Sequence, residues 1–396
     1  MDPSELAPYL PYVMAMVAAW LLVVVIATLL YGWKHLGAPP ARAGVTEAQA
    51  LGLAEWQRRR RLRLGLRHAM LRLGGLTATP QDPYGVPWLV LVGAEAEDGK
   101  SLLDALGYAR GTEGALVRSL GMIGHVRFCQ EGVVLDTTGG LNGESWKRHW
   151  AMLIRTLREA RTQRPLDGIV IAVPAPWLTG TDALSTERLT ALGVRLHDTL
   201  LEAQRLTGLR VPVTVLLTRC QSLPGFAALA AALSPGLRDE ELGWPMPYAL
   251  DTAFQPHWIG EAMGALEQGL SGLQIKVLMT AGHIADPHAL VGLPEAVGGL
   301  GSGLETLLTA IFGESAYHEA FMFRGFHLTG VVTAPEDGED NAAFAHRLFA
   351  ERIFREHGLV RPSLGAFSVR RRRLRAAQAA LALTTCLGVA GLAALW

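Results

Sequence analysis

The residues best placed to do chemistry follow a short apolar run. WLVLV (Trp88 to Val92) leads into GAEAEDGKS (Gly93 to Ser101) and then into LLDALGYA, which reads as helix. Buried strand, glycine-bearing loop and helix, in that order, form the setting in which Gly-Lys-Ser holds phosphate. Backbone amides and the helix N-terminus would cradle the oxygens around Gly99. Lys100 would reach the β- and γ-phosphates, and the Ser101 hydroxyl would hold Mg²⁺. Two features depart from that pattern. Ala94 stands where the first glycine of the motif belongs, with Gly93 one residue too early. Glu95, Glu97 and Asp98 would face a polyphosphate of like charge.

A second element completes the pattern. VVLDTTGG (Val133 to Gly140) is an apolar strand ending in Asp136, with Gly139 shortly after it. An aspartate at such a strand end can hold a Mg²⁺ ion, and the Gly139 amide can meet a γ-phosphate. A third strand is IVIAV (Ile169 to Val173). A fourth, VPVTVLL (Val211 to Leu217), runs into Thr218-Arg219-Cys220-Gln221. That tetrapeptide lies where a GTPase reads its base. Gln221 offers no carboxylate to guanine and Arg219 lacks the slim stem that lies across the base, so guanine specificity is not expected, and the ligand would be ATP or GTP with Mg²⁺. The plainer alternative is that Lys100 and Ser101 belong to a vestigial loop and Asp136 caps the next turn. Neither reading supplies a catalytic nucleophile or base.

These strands alternate with helical stretches at Trp146 to Arg161 and Ser185 to Thr207. Strand–helix alternation implies a doubly wound parallel sheet, with the loops gathered at its carboxyl edge. The expected class is therefore α/β: a P-loop NTPase-like parallel sheet over 85–225, followed by a helical subdomain with a return strand over 226–370. GHIADPH, with His283, Asp286 and His288, reads as a loop at Pro287 rather than as a metal site.

The chain of 396 residues carries 36 Lys and Arg against 36 Asp and Glu. Zero net charge excludes a protein whose main task is to coat nucleic acid. Three scattered cysteines exclude a disulfide framework. Half of the residues are hydrophobic, and the excess sits at the two ends. Residues 9–33 contain an uncharged apolar run flanked by Tyr9, Tyr12, Tyr31 and Trp33, long enough to cross a bilayer. Residues 376–396 form a second apolar stretch rich in alanine and glycine. Arg58 to Arg61 follow the first and Arg370 to Arg373 precede the second. Basic residues favour the cytoplasmic side, so the region between the spans is expected there, with both chain ends periplasmic. Residues 41–78 read as a juxtamembrane helical segment.

At this point the sequence resembles a family. The degenerate phosphate loop, LDTTGG, RPLDGIVIAV, VPVTVLLTRC and PGF are similar, in that order, to the cytoplasmic domain of the IcmF/TssM proteins. LPEAVGGLGSGLETLLTAIFG (Leu293 to Gly313), FRGFHLTGVV (Phe323 to Val332) and the run from Ala343 to the Arg cluster before the last apolar stretch extend the likeness collinearly. Family members usually have two N-terminal spans and continue into a large periplasmic part, whereas the resemblance here ends at Trp396. A short variant, a separate chain and a truncated sequence all stay open.

The resemblance implies a structural component of a type VI-like contractile secretion system in the bacterial inner membrane. Its implied partners are a small DotU/TssL-type inner-membrane protein, baseplate subunits, further copies of itself and the lipid bilayer. Nucleotide binding is a property of some members only. The expectation is thus a non-catalytic scaffold with a degenerate NTPase-like domain. The alternative is an active membrane-anchored ATPase or GTPase that drives assembly.

Overall fold

Seven strands form a sheet whose central strands are largely buried on both faces. The computed structural model describes residues 84–93, 95–108, 124–129, 131–143, 145–280, 284, 286–314, 318–333 and 338–363, with Gln57 and Arg60. In chain order the first half contains β1 (Trp88–Gly93), α1 (Ala96–Ala105), β2 (His125–Phe128), β3 (Val133–Asp136), α2 (Trp146–Ala160), β4 (Gly168–Pro174) and α3 (Thr186–Thr207). Next come β5 (Leu209–Arg210), β6 (Pro212–Thr218), α4 (Phe226–Ala232), α5 (Pro235–Arg238) and β7 (Gly243–Pro245). They are followed by α6 (Trp258–Thr280), α7 (Pro287–Gly298), α8 (Gly301–Phe312), β8 (Met322–Leu328), β9 (Gly330–Thr333), β10 (Asp340–Ala343) and β11 (Arg361–Pro362).

The sheet order is β2-β3-β1-β4-β6-β8-β7. The five central strands run parallel, and β2 and β7 close the two edges antiparallel. Parallel strands need cover on both faces, which explains the apolar runs of β1 and β4, whereas β8 carries Arg324 and His327 among its apolar residues. Trp88, Val90 and Val92 of β1 pack into the larger core, under α2, α3 and α8. Leu89 and Leu91 point the other way, into a smaller core with Leu102 and Leu103 of α1 and with Leu348, Phe349, Ile353 and Phe354. That period of two makes the fold a three-layer α/β sandwich.

Local sequence sets the covering helices. Ser185 caps α3 by accepting from the Arg188 amide, and Gly208 ends it with φ 70°. Leu189, Leu192, Leu196, Leu200 and Ala203 form its buried stripe. Gly193 lets α8 approach closely, since a Cβ there would lie 2.4 Å from the Ala310 Cβ. Asp286, expected in a loop, is the N-cap of α7 and accepts from the Ala289 amide at 2.9 Å.

The segment expected to form a helical subdomain is mostly helix among the described residues. Its return strand, β8, is different: it inserts into the main sheet beside β6. Helices α4, α6, α7 and α8 contribute to the same core as β1 and β4. Among the described residues no helix is long and apolar enough to cross a membrane. The spans expected at 9–33 and 376–396 lie outside the described residues, as does the juxtamembrane segment apart from Gln57 and Arg60.

Candidate functional site

The loop expected between β1 and its helix is much shorter than a phosphate loop. Strand β1 ends at Gly93, and α1 begins at Ala96 rather than at Leu102. Gly99, Lys100 and Ser101 therefore lie within the helix, where backbone amides bond back one turn instead of pointing at a ligand. The physical cause is local. Ala96 favours helix, and Glu97 and Asp98 in the first turn suit the positive end of its dipole.

Gly99 has a packing role. A Cβ on it would lie 2.3 Å from the Thr138 Oγ1 and 2.9 Å from an Asp136 carboxylate oxygen. Its absence lets α1 sit directly on the end of β3. Lys100 turns away from the sheet: its side chain is 60% exposed, with Nζ 3.8 Å from the Glu97 carboxylate. Asp136 is buried and faces its own turn, accepting from the Thr138 amide at 3.1 Å and from its hydroxyl at 2.6 Å. Burial raises the Asp136 carboxyl above the usual range, and the Thr138 hydrogen bonds oppose that shift. Gly139 adopts φ 79°, and its amide donates to the Gly93 carbonyl at 2.9 Å, which leaves it unavailable to a γ-phosphate. Gly99, Asp136 and Gly139 thus meet in a packed junction between α1 and the β3 turn.

A crevice does lie at the carboxyl edge, but other residues line it. It encloses about 350 Å³ between Glu95, Glu97, Asp98, Ser101, Thr218 and Arg219 on one side and Thr329, Gly330 and Val331 on the other. Of the residues expected at the site, Ser101 and Thr218 line it. The cation at its mouth is Arg219, held at φ 58° immediately after β6. Its Nη1 donates to the Glu95 carboxylate at 3.1 Å, and its Nε lies 3.8 Å from Asp98. Burial, and next the neighbouring Glu95, push the Asp98 carboxyl up to about 6, against the pull of Arg219. The Thr329–Val331 wall had no signal in the sequence. It arrives from more than a hundred residues away because β8 pairs with β6.

These residues do not fit a nucleoside triphosphate with Mg²⁺. The amides that would cradle phosphate are inside a helix, Lys100 points outward, and three carboxylates face the space. Among the described residues no group of three or more His, Cys, Asp or Glu is arranged to hold a metal ion. If Lys100 binds no phosphate, Lys100→Ala leaves function and folding unchanged. Urea denaturation and calorimetric titration with Mg·ATP check this, and a heat of nucleotide binding that disappears in a stably folded Lys100→Ala protein would contradict it.

Fold and crevice together define an α/β domain built on a mostly parallel seven-stranded sheet, with a filled junction where a phosphate loop would sit. Residues 144–337, from α2 through β9, match the model of the IcmF-related N-terminal domain. The match supports an IcmF/TssM-family protein and suggests a component of a type VI/IcmF-type secretion system. No curated protein matches the sequence.

Proposed function

We propose that this chain is a non-catalytic structural subunit of a contractile secretion apparatus, anchored in the bacterial inner membrane. In this reading residues 9–33 and 376–396 cross the bilayer and the Arg-flanked region between them stays on the cytoplasmic side. The α/β domain docks a DotU/TssL-type membrane partner and baseplate subunits, and several copies assemble together. The observation that carries the reading is the IcmF-related domain at 144–337. The packed α1–β3 junction supports the non-catalytic part, because a cycle of nucleotide binding and hydrolysis needs a phosphate cradle.

The test is affinity purification of the full chain from detergent-solubilised membranes, with mass spectrometry of what co-purifies. A stoichiometric small membrane protein and baseplate subunits are expected, and alkaline carbonate washing should leave the chain in the pellet. A stable complex without those partners, or release of the intact chain by the wash, would overturn the proposal.

The alternative is an active membrane-anchored ATPase or GTPase, motivated by Gly99-Lys100-Ser101 with Asp136. It requires a heat of binding for Mg·ATP or Mg·GTP that disappears in Lys100→Ala. We expect no such heat at millimolar nucleotide.

A further inference from the structure

Two histidines 121 residues apart in sequence bring their Nε2 atoms to 3.2 Å. His197 lies in α3, and His318 lies just before β8. Each ring is fixed at its other nitrogen. The His197 Nδ1 donates to the Ile311 carbonyl of α8 at 2.9 Å, and the His318 Nδ1 donates to the Glu319 carbonyl at 2.9 Å. A carbonyl oxygen only accepts, so the hydrogen of each ring belongs on Nδ1. A neutral imidazole has a single N–H, so both Nε2 atoms then present lone pairs to each other. Two lone pairs at that distance repel unless a cation lies between them. The rings cannot easily turn away. Phe321, itself buried, packs on both, with ring centroids 5.2 Å from His197 and 5.0 Å from His318.

We propose that His197 and His318 together bind one divalent transition-metal ion, of the zinc and copper class, through their Nε2 atoms. Imidazole nitrogen suits that class of ion. At the usual Zn–N distance of about 2.0–2.1 Å, a nitrogen separation of 3.2 Å gives an N–Zn–N angle of about 100–106°, close to tetrahedral. Donation of Nδ1–H to a backbone carbonyl is the contact that orients metal-ligating histidines, and here both rings make it. A proton shared by the two nitrogens would also relieve the repulsion. The ring centroids are only 4.9 Å apart, however, so at this nitrogen separation the rings meet at an angle rather than end to end. An N–H···N bond prefers a straight approach, whereas two metal ligands need the bend. Both histidines are partly exposed, which leaves the remaining coordination positions to water. The ion would staple α3 to the chain entering β8.

The experiment is calorimetric titration of the full, tag-free chain in detergent with Zn²⁺, after EDTA treatment and dialysis. A site with a Kd of about 10 μM is expected, weaker than a closed four-ligand centre because only two ligands come from the protein. His197→Gln and His318→Gln should each weaken that site at least about tenfold, the scale on which even outer-shell partners of a metal act. His288→Gln, an exposed histidine of α7 outside the pair, should leave it unchanged. Zn²⁺ at about 1 mM should raise the urea midpoint of the wild type and of His288→Gln, and raise it less in the two pair variants. A spectroscopic readout needs no variant: electron paramagnetic resonance of the Cu²⁺-loaded wild type should show splitting from two nitrogens. No heat with Zn²⁺ up to about 1 mM, equal binding in the wild type and both pair variants, or a Cu²⁺ signal with fewer than two nitrogens overturns the proposal. A pair that only shares a proton gives the first of these results. None of them bears on the secretion-subunit reading, which co-purification tests separately.

Discussion

Replacing Asp167 with alanine is expected to lower the stability of the central domain by about 3–5 kcal/mol. Asp167 lies just before β4 with no exposed surface, and it ties together segments that meet only in the fold. One carboxylate oxygen accepts from the Trp88 amide at 2.7 Å and from Arg161 Nη1 at 2.9 Å. Arg164 Nε lies 2.6 Å from the other oxygen. The Asp167 amide in turn donates to the Trp88 carbonyl at 2.8 Å, so β1 and β4 are pinned together at their starts. The Arg161 side chain is fully buried, with its guanidinium 5.3 Å from the ring centres of both Tyr84 and Trp88. Its Nη2 also donates to the Val86 carbonyl at 3.2 Å.

Removing the carboxylate leaves that cation buried with its main counter-ion gone and the Trp88 amide without its acceptor. The penalty comes from the stranded charge more than from the lost attraction. The double variant Asp167→Leu with Arg161→Met should therefore recover much of the loss. Urea unfolding of the two variants beside the wild type measures both effects. A loss below about 1 kcal/mol in the single variant would show that the pair contributes no more than an exposed ion pair.

The central sheet was legible because its strands are buried on both faces. IVIAV and VPVTVLL are continuous apolar runs, and the structure extends or shifts each by about a residue, to Gly168–Pro174 and Pro212–Thr218. The helix expected at Ser185 to Thr207 differs from α3 only in that Ser185 caps it. Short edge strands were not legible. Gly243–Pro245 has three residues and no alternation, and it exists because β8 offers it a partner. The place of β8 is a matter of tertiary pairing. Its residues read as a strand, but nothing local says that Val213 will sit opposite Phe323.

The sequence located a crevice-bearing edge of the sheet, but not which residues line the crevice. Gly-Lys-Ser after an apolar strand lies at the edge of the sheet that carries the crevice. What it did not disclose is that helix α1 starts at Ala96, which turns a candidate cradle into a helix interior. Glu95, Glu97 and Asp98 carried that information in part. The carboxylates that oppose phosphate are also good first-turn residues, and both effects follow from the same charges.

Acid should destabilise this domain through His327, and His327→Leu should remove that part of the sensitivity. His327 lies in β8 between Leu216 of β6 and Gly243 of β7, fully buried. Neither ring nitrogen has a hydrogen-bond partner among the described residues. Burial pushes the imidazole down to about 4. The nearby Glu241 opposes that shift, and Arg352, which pairs with Glu241, reinforces it. The sign follows from where protons bind. Between pH 6.5 and about 4 the unfolded chain protonates this histidine and the folded chain does not, so stability falls as pH falls through that window. Above it both states are neutral and there is no effect; below it the loss is complete. By pH 4.5 the loss amounts to about 2.5 kcal/mol. His327→Leu keeps the volume and removes both the titration and an unsatisfied ring N–H, whose burial costs about 1–3 kcal/mol. The variant should match or exceed wild-type stability at pH 7.5 and lose less on going to pH 4.5. Urea midpoints of the two proteins at both pH values separate this histidine from every other titrating group. Equal losses in wild type and variant would mean that the imidazole is protonated as easily in the fold as in water.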